Sequence, residues 1–174
     1  GQLGIKKDNV IEFTRTIADL GVSSNLAGEE GATMLARFAN ITQMPQDKFR
    51  NLGSAIVDLG NNSAATEAEI AAMALRLAGA GEIVGMSEGD ILGLAAALSS
   101  VGIEAESGGS AMSKVMIEIA QSVANGGDSL EQFSSVAGMS ADEFTAKWKS
   151  EPALALESFV RGLGRIVKEG GNVF

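Results

Sequence analysis

The chain has no cysteine and no histidine. Without cysteine it can build no disulfide framework, no zinc–thiolate site and no cysteine nucleophile. Without histidine it lacks the commonest general base and metal ligand, and the Ser-His-Asp route to acyl transfer is closed. Positive charge is scarce: 13 Lys and Arg stand against 22 Asp and Glu, a net charge of −9. Binding to a nucleic-acid backbone needs clustered cations. Only Lys6-Lys7 are adjacent, so no such binding is expected. Long apolar runs are also missing. The longest uncharged, apolar-rich stretch lies between Asp90 and Glu104, short of the ~20 residues that span a bilayer. The chain opens Gly1-Gln2-Leu3 with no basic-plus-apolar leader and reads as a processed or excised fragment.

Aromatics are few, 5 % of 174 residues, yet hydrophobic residues reach 45 %. They are mostly Ala, Leu, Ile, Val and Met, accompanied by 22 Gly. A core can form, with closely approaching helices and thin layers, and thin cores tend to marginal stability. The length allows one domain or two small helical lobes.

The apolar positions repeat. From Met44 they fall at Phe49, Leu52, Ile56 and Leu59, before Gly60. From Met86 the same steps reach Ile91, Leu94, Leu98 and Val101, before Gly102. From Ile5 they reach Val10, Phe13, Ile17 and Leu20, before Gly21. Steps of three and four residues trace one helix face, and Gly marks where such a helix stops. Beyond each Gly, equal offsets reach Met34 and Phe38, Met73 and Leu77, and Val115 and Ile119. The unit is therefore a helix, a Gly-stopped turn and a second amphipathic helix, recurring about every 40 residues, as in helical-hairpin repeats.

In chain order, a first helix is expected over Lys7–Leu20, ended by Gly21, and a second over about Gly28–Asn40, burying Met34, Leu35, Phe38 and Ile41. Pro45 suits the first turn of a third helix, which ends at Gly60 before an Asn61-Asn62-Ser63 turn. Thr66 with Glu69 forms a capping box for the fourth helix. Gly79 and Gly81 are expected to fray or bend it. Ser87 with Asp90 caps the fifth helix, closed by Gly102. A sixth runs from near Ser107 to about Ala124. Gly126-Gly127 is the clearest break. Beyond it, Asp128 with Glu131 caps a short helix, Gly138 ends it, Ser140 with Glu143 opens the next, and Pro152 begins a last helix ended by Gly170-Gly171. No window alternates long enough for a strand. The expected fold is all-α, with eight or nine short helices. Residues 1–125 form a helical-hairpin repeat region (units near 5–43, 44–85 and 86–125), and 126–174 a C-terminal helical lobe.

Few residues suggest chemistry. Gly79-Ala-Gly81 with Gly85 has the wrong spacing for a dinucleotide fingerprint and follows a helix instead of a strand. Ser110 and Lys114 share a helix face, but a lysine base needs burial. The bland reading is a helix-start Ser and a solvated Lys. The pairs Glu29-Glu30, Glu67 with Glu69, and Glu104 with Glu106 lie near helix starts, where the dipole explains them. Met34, Met73, Met112 and Met116 fall on the repeated buried face and read as core, although Met can also line an adaptable groove. Phe144 and Trp148, four apart, read most simply as one packed helix face. They are also the candidate partner-contact residues, since Trp is favoured at interface anchors. No catalytic, cofactor-binding or metal-binding residues are assigned.

The run Leu52-Gly-Ser-Ala-Ile-Val-Asp-Leu-Gly-Asn-Asn-Ser-Ala-Ala-Thr-Glu-Ala-Glu-Ile70 resembles the core region of bacteriophage tail tape measure proteins. So do Ala95–Glu106, the Gly108–Lys114 segment, Gly138-Met-Ser-Ala-Asp-Glu-Phe144, Trp148, Glu151-Pro152-Ala153 and Phe159. The resemblance implies a structural module, not an enzyme, of a phage or prophage tail. It would lie inside the tail tube, set tail length during assembly in the host bacterial cytoplasm, and take part in DNA ejection. The partners implied are tail tube subunits, tail assembly chaperones and tail tip or baseplate proteins; self-association is a further expectation. A compact chain of this size has a radius of gyration of about 15–16 Å, a tight fit in a tube that passes one duplex. The segment is therefore expected to be extended or loosely packed there and to rearrange on ejection. The alternative is a helical-repeat scaffold for a protein partner, unconnected with phage tails. A third reading, a hydrolase domain, is opposed by the missing His and Cys.

Overall fold

Nine α-helices carry the fold in a computed structural model that describes residues 3–26, 28–168 and 170. They are α1 (Val10–Ser23), α2 (Gly28–Ile41), α3 (Phe49–Asn61), α4 (Glu67–Ile83), α5 (Glu88–Ser100), α6 (Ser110–Asn125), α7 (Asp128–Ala137), α8 (Ala141–Ser150) and α9 (Pro152–Lys168). No strand occurs among the described residues. The all-α expectation holds.

Helix starts follow local chemistry. Thr66, Ser87 and Ser140 each accept from the backbone N–H three residues on, while Glu69, Asp90 and Glu143 reach back to the capping residue's N–H. Each reciprocal pair satisfies two of the backbone donors a helix start leaves open. The expected Asp128–Glu131 box does not form. Asp128 is the first helical residue of α7, and Gly127, at φ +82°, occupies the capping position without a side chain.

Glycine stops a helix only where the backbone turns left-handed. Gly102 and Gly138 do so, at φ +78° and +75°, and the following N–H groups return to carbonyls of the last turn. Gly21 and Gly60 do not. Both remain helical, which corrects the expected stops: α1 continues to Ser23 and α3 to Asn61. The hydroxyls of Ser23 and Ser24 cap the last carbonyls of α1, at Asp19 and Leu20. Asn62 donates to the Asp58 carbonyl at the end of α3. Gly79 and Gly81 do not break α4, which runs unbroken and buries Gly81. Lys7–Asn9 and Gln46–Lys48 are short 3-10 turns ahead of α1 and α3, so Pro45 precedes its helix instead of entering it. A single π-helical turn, Ala105–Gly109, precedes α6 where the helix was expected to begin. Of the Gly170-Gly171 pair, Gly171 lies outside the described residues.

The chain divides into two compact units, residues 1–82 with 87–113, and 83–86 with 114–174. In the first, α1 packs against α3 and α3 against α5. Phe13 and Phe49 meet edge to face with ring centroids 4.6 Å apart. Leu35 and Phe38 of α2, Leu52 and Ile56 of α3, Ala71 and Ala74 of α4, and Leu92 of α5 converge on one another. Full burial of side chains such as Leu35, Phe49 and Ile56 contributes roughly 1.5–3 kcal/mol each. Ile41, expected on the buried face of α2, is instead 40 % exposed, and Val101 of the repeated stripe is 73 % exposed. In the second unit α7, α8 and α9 pack on one another, and Phe144, Ala155 and Leu156 are fully buried.

Candidate functional site

Phe144 and Trp148 project from α8, which packs on α7 and α9. One helical turn apart, their rings stack with centroids 6.3 Å apart and 22° between planes. Phe144 is completely buried and Trp148 is 4 % exposed. The pair is core of the second unit and presents almost no surface to a partner. The spacing that put both on one helix face was informative; that this face is inward follows from the packing of α8 on its neighbours α7 and α9.

A concave apolar surface lies elsewhere in the same unit. Val115 of α6, Phe133 and Val136 of α7, and Phe159 and Leu163 of α9 line a groove of about 630 Å³. Phe133 and Phe159 meet edge to face, centroids 5.3 Å apart. The rim is uncharged amide and hydroxyl, with Glu118 its one charged side chain. Such a lining suits apolar groups and offers little to an ionic ligand. Sequence reasoning missed it because the residues come from three separated segments. The one local signal was Phe133 on a helix with few other large apolar residues.

The groove is shaped by a glycine. Gly162 of α9 lies so close to α7 that an added Cβ would strike the Val136 carbonyl. In the first unit Gly53 of α3 does the same for α1: a Cβ there would stand 2.9 Å from the Thr16 methyl. Neither glycine has a positive φ. Both are required by helix approach and not by backbone conformation.

The other sequence candidates separate cleanly. The Ser110 hydroxyl donates to the Glu106 carbonyl at 2.7 Å, and that of Ser113 to the Arg76 carbonyl at 3.0 Å. Each is engaged with backbone, while Lys114 is exposed. Glu29 and Glu30 lie in the first turn of α2, and Glu67 and Glu69 in that of α4. Among the described residues no three acidic side chains converge as metal ligands. Two carboxyls are held below the usual carboxylate range. For Glu69 the cause is donation from the Thr66 N–H and then its hydroxyl; for Glu143 it is the same pair from Ser140. Met73 and Met116 are fully buried and pack as core, while Met34 and Met112 are half-buried and Met34 also lines an open depression with Glu29, Glu30 and Arg37. No described helix is long and apolar enough to cross a membrane.

Two short packed units of helices, apolar seams closed by glycine, and local caps make up what the described residues display. No curated protein and no solved structure matches the chain. The family model described as phage-related minor tail protein matches residues 1–166, nearly the full length, and the chain therefore belongs to the phage-related minor tail protein family, a component of the phage tail.

Proposed function

We propose that this chain is a structural module of a tail tape measure protein. It would set tail length while the tube assembles and rearrange when DNA leaves. The observation that carries this reading is the family match over residues 1–166. The resemblance of Leu52–Ile70 and Ala95–Glu106 to tape measure cores narrows it. In this reading the module is not an enzyme. It lies within the tail tube, and its partners are tube subunits, assembly chaperones and tip or baseplate proteins.

The helices suit a segment that changes shape. They run from 10 to 17 residues, and a third of the buried apolar residues are Ala. Each buried Ala exposes little apolar area when a hairpin opens, which lowers the cost of partial unfolding. The net charge of −9 gives a surface that repels the DNA backbone and lets it pass.

In-frame deletion of residues 5–125 from the parent protein tests the proposal. The loss of 121 residues, laid along the tube as helix at ~1.5 Å per residue, shortens tails by about 180 Å. Tails of normal length that fail to deliver DNA would remove the length-setting role and leave an ejection role.

A further inference from the structure

The seam between α1 and α3 has a defined register. Thr16 and Leu20 of α1 pack over Gly53 of α3, and Arg50, Val57 and Asn61 of α3 line the same seam. The apolar pattern repeats with a step of 39 residues from α1 to α3 and 42 from α3 to α5. Stepping back by 39 carries Arg50, Gly53, Val57 and Asn61 onto Ile11, Thr14, Ala18 and Val22. These four are the face of α1 turned away from α3. All are exposed, Ile11 by 69 % and Val22 by 91 %. Stepping forward carries Thr16 and Leu20 through Ala55 and Leu59 to Ala97 of α5 and to Val101, the residue that caps its C-terminus. Ala97 falls on the side of α5 opposite Leu92 and Ala95, Val101 follows on that side at the cap, and both are exposed, Val101 by 73 %.

A row of stacked helical units needs polar outer faces on its end members to stay apart from other rows. Here the α1 end carries exposed Ile11 and Val22 with Thr14 and Ala18 between them, and the α5 end carries exposed Ala97 with Val101 at its cap. Their sizes also interlock. At the observed seam a larger residue, Thr16, meets Gly53. At the free ends the order reverses, with Ala97 the smaller and Thr14 the larger.

We propose that this chain self-associates head to tail. The surface formed by Ala97 and the capping Val101 at the C-terminal end of α5 in one copy docks on the Ile11–Val22 face of α1 in the next, continuing the α1–α3–α5 row. Such an interface joins two different surfaces, so it propagates instead of closing as a dimer. The inference is independent of the length-setting role, and either can fail without the other.

Sedimentation of the 1–174 chain tests it, using one doubly substituted variant for each face: Ile11→Glu with Val22→Glu, and Ala97→Glu with Val101→Glu. All four positions are exposed, and far-UV circular dichroism should show unchanged helix content. The unsubstituted chain should form concentration-dependent oligomers. Each variant alone should associate at least tenfold more weakly. Mixed together, the two variants should form a one-to-one dimer and nothing larger, because each retains the face the other lacks. A chain that stays monomeric at its highest soluble concentration would overturn self-stacking and leave these faces to a different protein. So would a variant that assembles like the unsubstituted chain, or a mixture that fails to pair.

Discussion

Two glycines two positions apart on α9 have opposite roles. At Gly162 an added methyl would meet the Val136 carbonyl; at Gly164 it would meet nothing within 4 Å. The backbone carbonyl cannot swing aside as a flexible side chain would. Gly162→Ala should therefore cost about 1–3 kcal/mol by overpacking, outweighing the ~1 kcal/mol that Ala ordinarily adds in a helix. Gly164→Ala should gain up to about that ~1 kcal/mol. Urea denaturation of both variants gives the two signs directly. Gln43 presents the converse case: it stands at φ +54°, in the left-handed region that a side chain enters at a cost. Its amide gains only one exposed contact, to Glu82 at 3.3 Å. Gln43→Gly should raise stability by roughly 0.5–1 kcal/mol, read as a higher urea midpoint with unchanged slope.

Among whole elements, the capping boxes of α4 and α8 join stability to pH. Their carboxylates, Glu69 and Glu143, accept from Thr66 and Ser140 and so hold their protons less tightly than free Glu. A carboxyl whose pKa is depressed on folding stabilises the fold above its unfolded value, near 4.3. That stabilisation is lost as pH falls through the lower, folded value. Melting temperature should therefore fall in this acidic window. Glu69→Gln with Glu143→Gln should lessen the fall, since Gln still accepts in a capping box but does not titrate. Ser140→Ala should cost about 1 kcal/mol at neutral pH. These caps were readable in the sequence because a cap is made by residues three apart. Gly102 and Gly138 were readable for the same reason. Gly21 and Gly60 misled because a glycine inside a helix and one ending it look alike until the neighbouring polar groups, here Ser23, Ser24 and Asn62, are counted. The close approaches at Gly53 and Gly162 were not legible, and the Phe133–Phe159 groove left only Phe133 itself as a signal. What fixes them is contact between segments, and one helix's sequence holds no record of its neighbour's distance.

For the molecule as a whole, the proposed role predicts graded behaviour. Removing only residues 44–85, one hairpin, should shorten tails by about 60 Å at ~1.5 Å per residue, a third of the change expected for residues 5–125. Lengths measured by electron microscopy should fall on one line through both deletions and the intact protein. A step or a plateau would show that individual segments are not equivalent contributors to length. One detail of the second unit also bears on how such changes could be followed. The chain has a single Trp and no Tyr, and that Trp, at 148, is buried against Phe144. Indole fluorescence from this protein therefore originates at one point. Its emission should move to longer wavelength when α8 leaves its neighbours and stay still when only α1 to α5 open. The protein carries a built-in optical label for one unit while the other stays dark, so comparing emission with circular dichroism gives the order in which the two come apart.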